Sequence, residues 1–97
     1  MPTHEQEDRF WRDFEKLTPE QVGRFWAAIR RFAEDLDSGH GIRPGLGVSE
    51  LRGYPGIYEF HYAPDGRATF SYGPEKVPGK RHVKWHRVGT HDIYDNP

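Results

Sequence analysis

At 97 residues and 34% hydrophobic, the chain has room for one domain with one modest core. Its 14% aromatic content, three Trp, five Tyr and six Phe, excludes a disordered chain, because large rings bury much area per residue. The net charge of -1 does not announce a nucleic-acid binder, and the absence of Cys excludes disulfides and thiolate chemistry and fits a reducing compartment.

Residues 1–39 carry six Lys/Arg against nine Asp/Glu, whereas residues 40–97 carry eight against six and five of the six His. Cationic character is therefore segregated to the C-terminal part. No apolar run approaches the roughly 18 residues of a membrane span. The first residues show no charged-then-apolar signal pattern. A cytoplasmic protein with no membrane partner is expected.

Met1 to Asp8 is polar and reads as frayed. From about Glu7, Phe10, Phe14 and Leu17 recur at helical spacing, with Trp11 on the flank. Thr18-Pro19-Glu20-Gln21 is a capping box with Pro at the first helical position. The helix it starts carries Val22, Phe25, Trp26, Ile29, Phe32, Ala33 and Leu36 on one face, with Trp26 at mid-face. Ser38-Gly39-His40-Gly41 ends it. The two helices form an αα-hairpin. Residues 38–47 follow as a glycine-rich crossover. They lack the strand-to-helix context of a phosphate loop.

Strands are expected at Val48–Arg52, Ile57–Tyr62, Arg67–Tyr72 and Arg81–Val88, with a turn at Ala63-Pro64-Asp65-Gly66 and a loop from Gly73 to Lys80. Alternation collects Tyr58, Phe60, Tyr62, Ala68, Phe70, Tyr72, Val83 and Trp85 on one sheet face, which the helices cover. The other face collects Glu59, His61, Arg67, Thr69, Ser71, His82, Lys84 and His86, with Arg52 and Arg87 at its margins. Any half-wetted antiparallel sheet shows polar residues outside. This face, however, is biased to Arg, Lys and His around one Glu, and it ends beside His91 and Tyr94. One carboxylate among cations suits acid–base chemistry on a phosphodiester. His82 and His86 lie about 13 Å apart by strand rise and cannot share a metal. No metal and no cofactor are expected.

The run E-L-R-G-Y-P-G-I-Y-E-F, the hairpin D-G-R-A-T-F-S-Y-G and the ending H-V-K-W-H-R-V-G-T-H-D-I-Y resemble the RelE/ParE superfamily of toxins from type II toxin–antitoxin systems. The likeness covers roughly Phe10 to Asp95. Within that superfamily the chain is similar to RelE- and YoeB-like proteins of the actinobacterial type, which end in G-T-H-D-I-F/Y. The resemblance implies an α+β fold: a helical hairpin on one face of a small, mainly antiparallel, twisted sheet, in the order βααβββ. It implies metal-independent cleavage of mRNA in the ribosomal A site, by attack of a 2′-hydroxyl on the adjacent phosphate. It also implies control by a cognate antitoxin. Carried over residue by residue, Glu59 is the general base, Arg67 holds the phosphate and His91 is the C-terminal histidine of the site. Tyr94, Arg52, Lys84, His86 and Arg87 are RNA or phosphate contacts. The family's first strand is expected to be missing or distorted, since M-P-T-H-E-Q-E-D is no strand sequence. The slightly acidic balance keeps a non-catalytic alternative open: a ParE-like gyrase inhibitor, or a degenerate member that binds only its antitoxin.

Overall fold

The structure, a computed structural model, describes residues 1–97. Thr18 caps the longest element, α2 (Pro19–Ser38). Its hydroxyl accepts from Gln21 N–H at 3.2 Å, and the Gln21 side chain accepts from Thr18 N–H at 2.8 Å. Gly39 ends the helix in the left-handed region at φ 70°. The shorter α1 spans Asp8–Phe14. No helix is long and apolar enough to cross a membrane.

Five strands form one sheet: β1 (Thr3–Gln6), β2 (Ser49–Glu50), β3 (Tyr58–His61), β4 (Arg67–Val77) and β5 (Lys80–Gly89). Their spatial order is β1-β5-β4-β3-β2, with β1 parallel to β5 and every other pair antiparallel. The first strand, expected to be missing or distorted, is therefore present. An edge strand needs no apolar alternation when polar groups satisfy it. Glu7 N–H donates to the Trp85 carbonyl at 3.0 Å, extending the ladder past Gln6. Where β1 ends, Asp13 of α1 takes over the β5 edge and accepts from Val88 N–H at 3.2 Å.

The core lies between α2 and the sheet. Phe32 meets Phe60 and Phe70 at 5.2 Å between ring centroids, and Trp85 lies 5.2 Å from both. Such tilted and edge-on pairs are the favoured aromatic geometries. α1 reaches α2 mainly through rings, Phe10 and Phe14 against Phe25. Between the helices and β1 runs an apolar groove of about 150 Å³. Here the sequence expectation fails for one residue: Trp26 is 47% exposed on the groove rim, while Phe25, Ala28 and Phe32 face the sheet. The apolar stripe of α2 is wider than the core it covers, so Trp26 falls to the α1 side.

A β-bulge re-aims the last strand. Thr69 pairs with Arg87 and Phe70 with Trp85, so His86 is left over. Trp85 and Val88 then both reach the core, although they are three apart. Two segments read as loops are more ordered than expected. β4 runs on to Val77, so most of residues 73–80 is ribbon rather than loop. The crossover is pinned by Arg43, whose Nε and Nη2 each donate to Asp35 at 2.8 Å, and by buried Leu46.

Candidate functional site

The helix-free face of the sheet carries the polar residues. At its β3–β4 end, register places His61 opposite Arg67 and Glu59 opposite Thr69. Glu59 and His61 share a face because they are two apart on one strand. They form a direct pair, His61 Nε2 donating to Glu59 Oε1 at 2.6 Å. A carboxylate only accepts, so the ring proton sits on Nε2. Gly47 makes this rotamer possible. Its φ of 59° suits glycine, and a Cβ there would lie 2.5 Å from the His61 ring.

The G-T-H-D-I-Y ending closes over this pair. Residues His91–Asp95 form a short 3₁₀ helix. Ile93 is buried and sets it down against Gly89, where a Cβ would lie 3.0 Å from Ile93 Cγ2. In a 3₁₀ helix residues three apart eclipse. His91 and Tyr94 accordingly stack edge to face at 5.4 Å. Tyr94 Oη donates to Glu59 Oε1 at 3.4 Å. Glu59 Oε1 thus accepts two hydrogen bonds and Oε2 none. Burial first, and then the Glu59 charge, push the Tyr94 phenol up to about 12, with Arg67 pulling the other way. Tyr94 therefore stays a donor at neutral pH.

Arg67 opens β4 beside this cluster. Its Nη1 donates to the carbonyls of Ala63, Pro64 and Gly66 at 3.3, 3.0 and 3.0 Å. That fixes the guanidinium on its own turn, close enough to act on the Tyr94 phenol, with no well-formed hydrogen bond on Nε or Nη2.

The other residues singled out in the sequence lie elsewhere. Lys84 pairs across the ladder with Ser71, whereas Arg67 pairs with Gly89. At about 3.3 Å per residue this separates them by roughly 13 Å. His86 is buried, with one ring nitrogen on Glu7 and the other 2.9 Å from Ser71 Oγ. Arg87 is tied to Asp13 by two hydrogen bonds of 2.6 and 3.1 Å. Arg52 is exposed in the β2–β3 loop, which enters β3 at the end away from His61. Glu59, His61, Arg67, His91 and Tyr94 come together; Arg52, Lys84, His86 and Arg87 do not join them.

Sequence reading missed two features. His61 lay on the polar face without a role, although its spacing from Glu59 would have found it. The face also holds more carboxylates than one, because β1 brings Glu5 to His82 at 2.8 Å and Glu7 to His86. The hydrogen bond from His82 chiefly holds Glu5 below the usual carboxylate range. For Glu7 burial pulls upward, but His86 and Arg9 outweigh it and the carboxyl lies low. Three or more metal-type side chains converge nowhere in the structure.

Neither a protein-family model nor a curated protein matches the sequence. Solved structures do match. YafQ from E. coli strain BL21(DE3) superposes with a TM-score of 0.69 at 12% identity, over 97% of this chain and 98% of that one. The YoeB/ParE toxin from Agrobacterium tumefaciens gives 0.66 at 13% identity, over 92% and 98%. The RelB–RelE antitoxin–toxin complex from Methanococcus jannaschii gives 0.61 at 18%, over 95% and 98%. The chain has the α+β RelE/ParE toxin fold.

Proposed function

We propose that this protein is the toxin of a type II toxin–antitoxin system, cleaving mRNA in the ribosomal A site without a metal in the cytoplasm. The observation that carries the reading is the cluster at the β3–β4 end: a carboxylate with one free oxygen, an imidazole locked to it, a positioned guanidinium and a second, exposed imidazole. In this reading Glu59 Oε2 accepts the proton of the attacking 2′-hydroxyl, supported by His61 and Tyr94 on Oε1. Arg67 holds the non-bridging oxygens through Nε and Nη2 as charge builds on phosphorus. His91 gives a proton to the leaving 5′-oxygen. Arg52 and Lys84 contact RNA outside the reacting phosphate. His86 and Arg87, both engaged within the fold, act on its architecture.

A cognate antitoxin partner is supported by the solved complexes of this fold, including the E. coli DinJ–YafQ complex. The apolar groove with Trp11 and Trp26 exposed on it gives such a partner a place to bury area.

The test is expression of Glu59→Gln, Arg67→Ala and His91→Gln variants, with mRNA ends mapped in stalled ribosomes. Each should lower cleavage by ~10²–10⁴ while circular dichroism stays unchanged. Undiminished cleavage in all three would remove the cluster from the mechanism. The net charge of -1 favours the non-catalytic reading. That reading gains if the wild type arrests growth, through gyrase or otherwise, without cutting any message.

A further inference from the structure

The β4–β5 ribbon runs past the rest of the sheet. β3 accompanies β4 only as far as Phe70, and β1 reaches β5 only from His82 onward. Residues 74–81 therefore form a two-stranded projection, exposed throughout. Its tip turns at Pro78 and Gly79, the latter at φ 82°. A register shift between Gly73 and Val77 adds twist.

An unbacked two-stranded ribbon is marginal by itself, so its composition is informative. It carries Lys76, Lys80 and Arg81, with Lys84 at its base. None of these four is in an ion pair. The ribbon's one carboxylate, Glu75, is turned inward to accept from Gly79 N–H at 3.0 Å. Arg81 is held 4.2 Å over the Tyr72 ring, which orders it without neutralising it. Of the ten other cations, Arg9, Arg24, Arg43 and Arg87 are paired with carboxylates and six are not, so what sets the ribbon apart is that its cations lie together on one projection. Lys80 and Lys84 share one face about 13 Å apart along the strand, while Arg81 lies on the other face with Tyr72.

We infer that this ribbon is a docking arm for the phosphodiester backbone of a structured RNA, separate from the strand that is cut. The inference deepens the nuclease reading and rests on it for the choice of RNA. Spread, unpaired cations suit successive phosphates. The ribbon offers a protein partner little apolar area besides Val77, so an acidic polypeptide is the poorer fit. Distance separates the arm from the cleavage cluster. Arg67 to Val77 is ten residues of β4, about 33 Å, close to the longest dimension of the molecule at 34 Å. A strand held at Glu59 and Arg67 would have to run the length of the molecule to reach the tip, so the arm suits a second RNA segment, folded to present the substrate.

The test uses a 2′-O-methyl stem–loop RNA, which cannot be cut, so binding is read apart from activity. Fluorescence anisotropy across salt compares the wild type, the triple variant Lys76→Gln/Lys80→Gln/Arg81→Gln, and Arg67→Gln. The triple variant should flatten the slope of log K against log salt by about 2, and Arg67→Gln by less than about 1. An unchanged melting temperature would show that the ribbon variant is folded. An unchanged slope in that variant overturns the inference, as does equal, ribbon-dependent binding of polyglutamate. Ribbon-dependent RNA binding by a wild type that cuts nothing would uphold the arm and remove the nuclease reading. Cleavage with an unchanged slope would do the reverse.

Discussion

The two large rings on α2 make a sharp test of where the core lies. Phe32 is 3% exposed and meets the rings of Phe60, Phe70 and Trp85, whereas Trp26 is 47% exposed on an open groove. Phe32→Ala removes roughly 100 Å² of apolar burial, ~2.5 kcal/mol at ~25 cal/mol/Å². It also leaves a closed cavity, which brings the loss to ~3–5 kcal/mol. Trp26→Ala removes a comparable area, but about half of the ring was already wet. The space it leaves opens to solvent, so no cavity penalty is added. The expected loss is ~1–2 kcal/mol. A domain of this size has ~5–15 kcal/mol in all, so the first change threatens folding and the second does not. Urea unfolding followed by tryptophan fluorescence gives both values, with circular dichroism as the common probe because Trp26→Ala alters the signal. Equal losses, or a larger one for Trp26, would mean that α2 is rotated from the orientation described.

Two more outcomes follow from the same geometry. Glu5, Glu7 and Asp35 all titrate below their ordinary values, Asp35 at about 2 through its hydrogen bonds from the Arg43 side chain and backbone. Depressed carboxyls stabilise the fold above their unfolded values of 4.5 and 3.8, and that contribution is lost as pH falls through the folded ones. The urea midpoint should hold from neutral pH to about 5 and drop between about 4.5 and 2; a flat profile there would refute the pairing of β1 with His82 and His86. Gly47→Ala combines a left-handed backbone with a clash on His61. It should cost ~1–3 kcal/mol, seen as a lowered melting temperature; on the proposed nuclease reading, cleavage should fall by more than the loss of folded protein explains.

Local signals in the sequence were enough for the elements whose stability is local. The Thr18 capping box and the alternation around Tyr58–Tyr62 and Arg67–Tyr72 gave α2, β3 and most of β4. The motif ending in His91 and Tyr94 brings the Tyr94 hydroxyl to Glu59 and the His91 ring against Tyr94, because a short polar turn after Gly89 cannot travel far. What stayed hidden depends on partners distant in sequence. β1 is held by its parallel ladder on β5 and by the bonds of His82 and His86 to Glu5 and Glu7, across 77 and 79 residues. Strict alternation could not reveal the bulge at His86, which lets Val88 rejoin Trp85 in the core. The amphipathic pattern of α2 gave the stripe but not its centre, hence Trp26. The 73–80 ribbon reads as a loop because Pro and Gly dominate it and no apolar face marks it as strand.

The parallel pairing of β1 with β5 sets an order of assembly. Thr3 lies opposite His82, so the first strand waits for a partner made 79 residues later. At about 5–20 residues per second of synthesis that delay is roughly 4–16 s. Until then Phe10, Trp11 and Phe14 of α1 have only α2 and each other for cover. Long-range closure of this kind slows folding. The Glu59 cluster is incomplete over the same interval, since Tyr94 follows β5. A nascent chain completes the Glu59 cluster only once Tyr94 has been made, and closes the parallel edge of its sheet only when its earliest and latest segments meet.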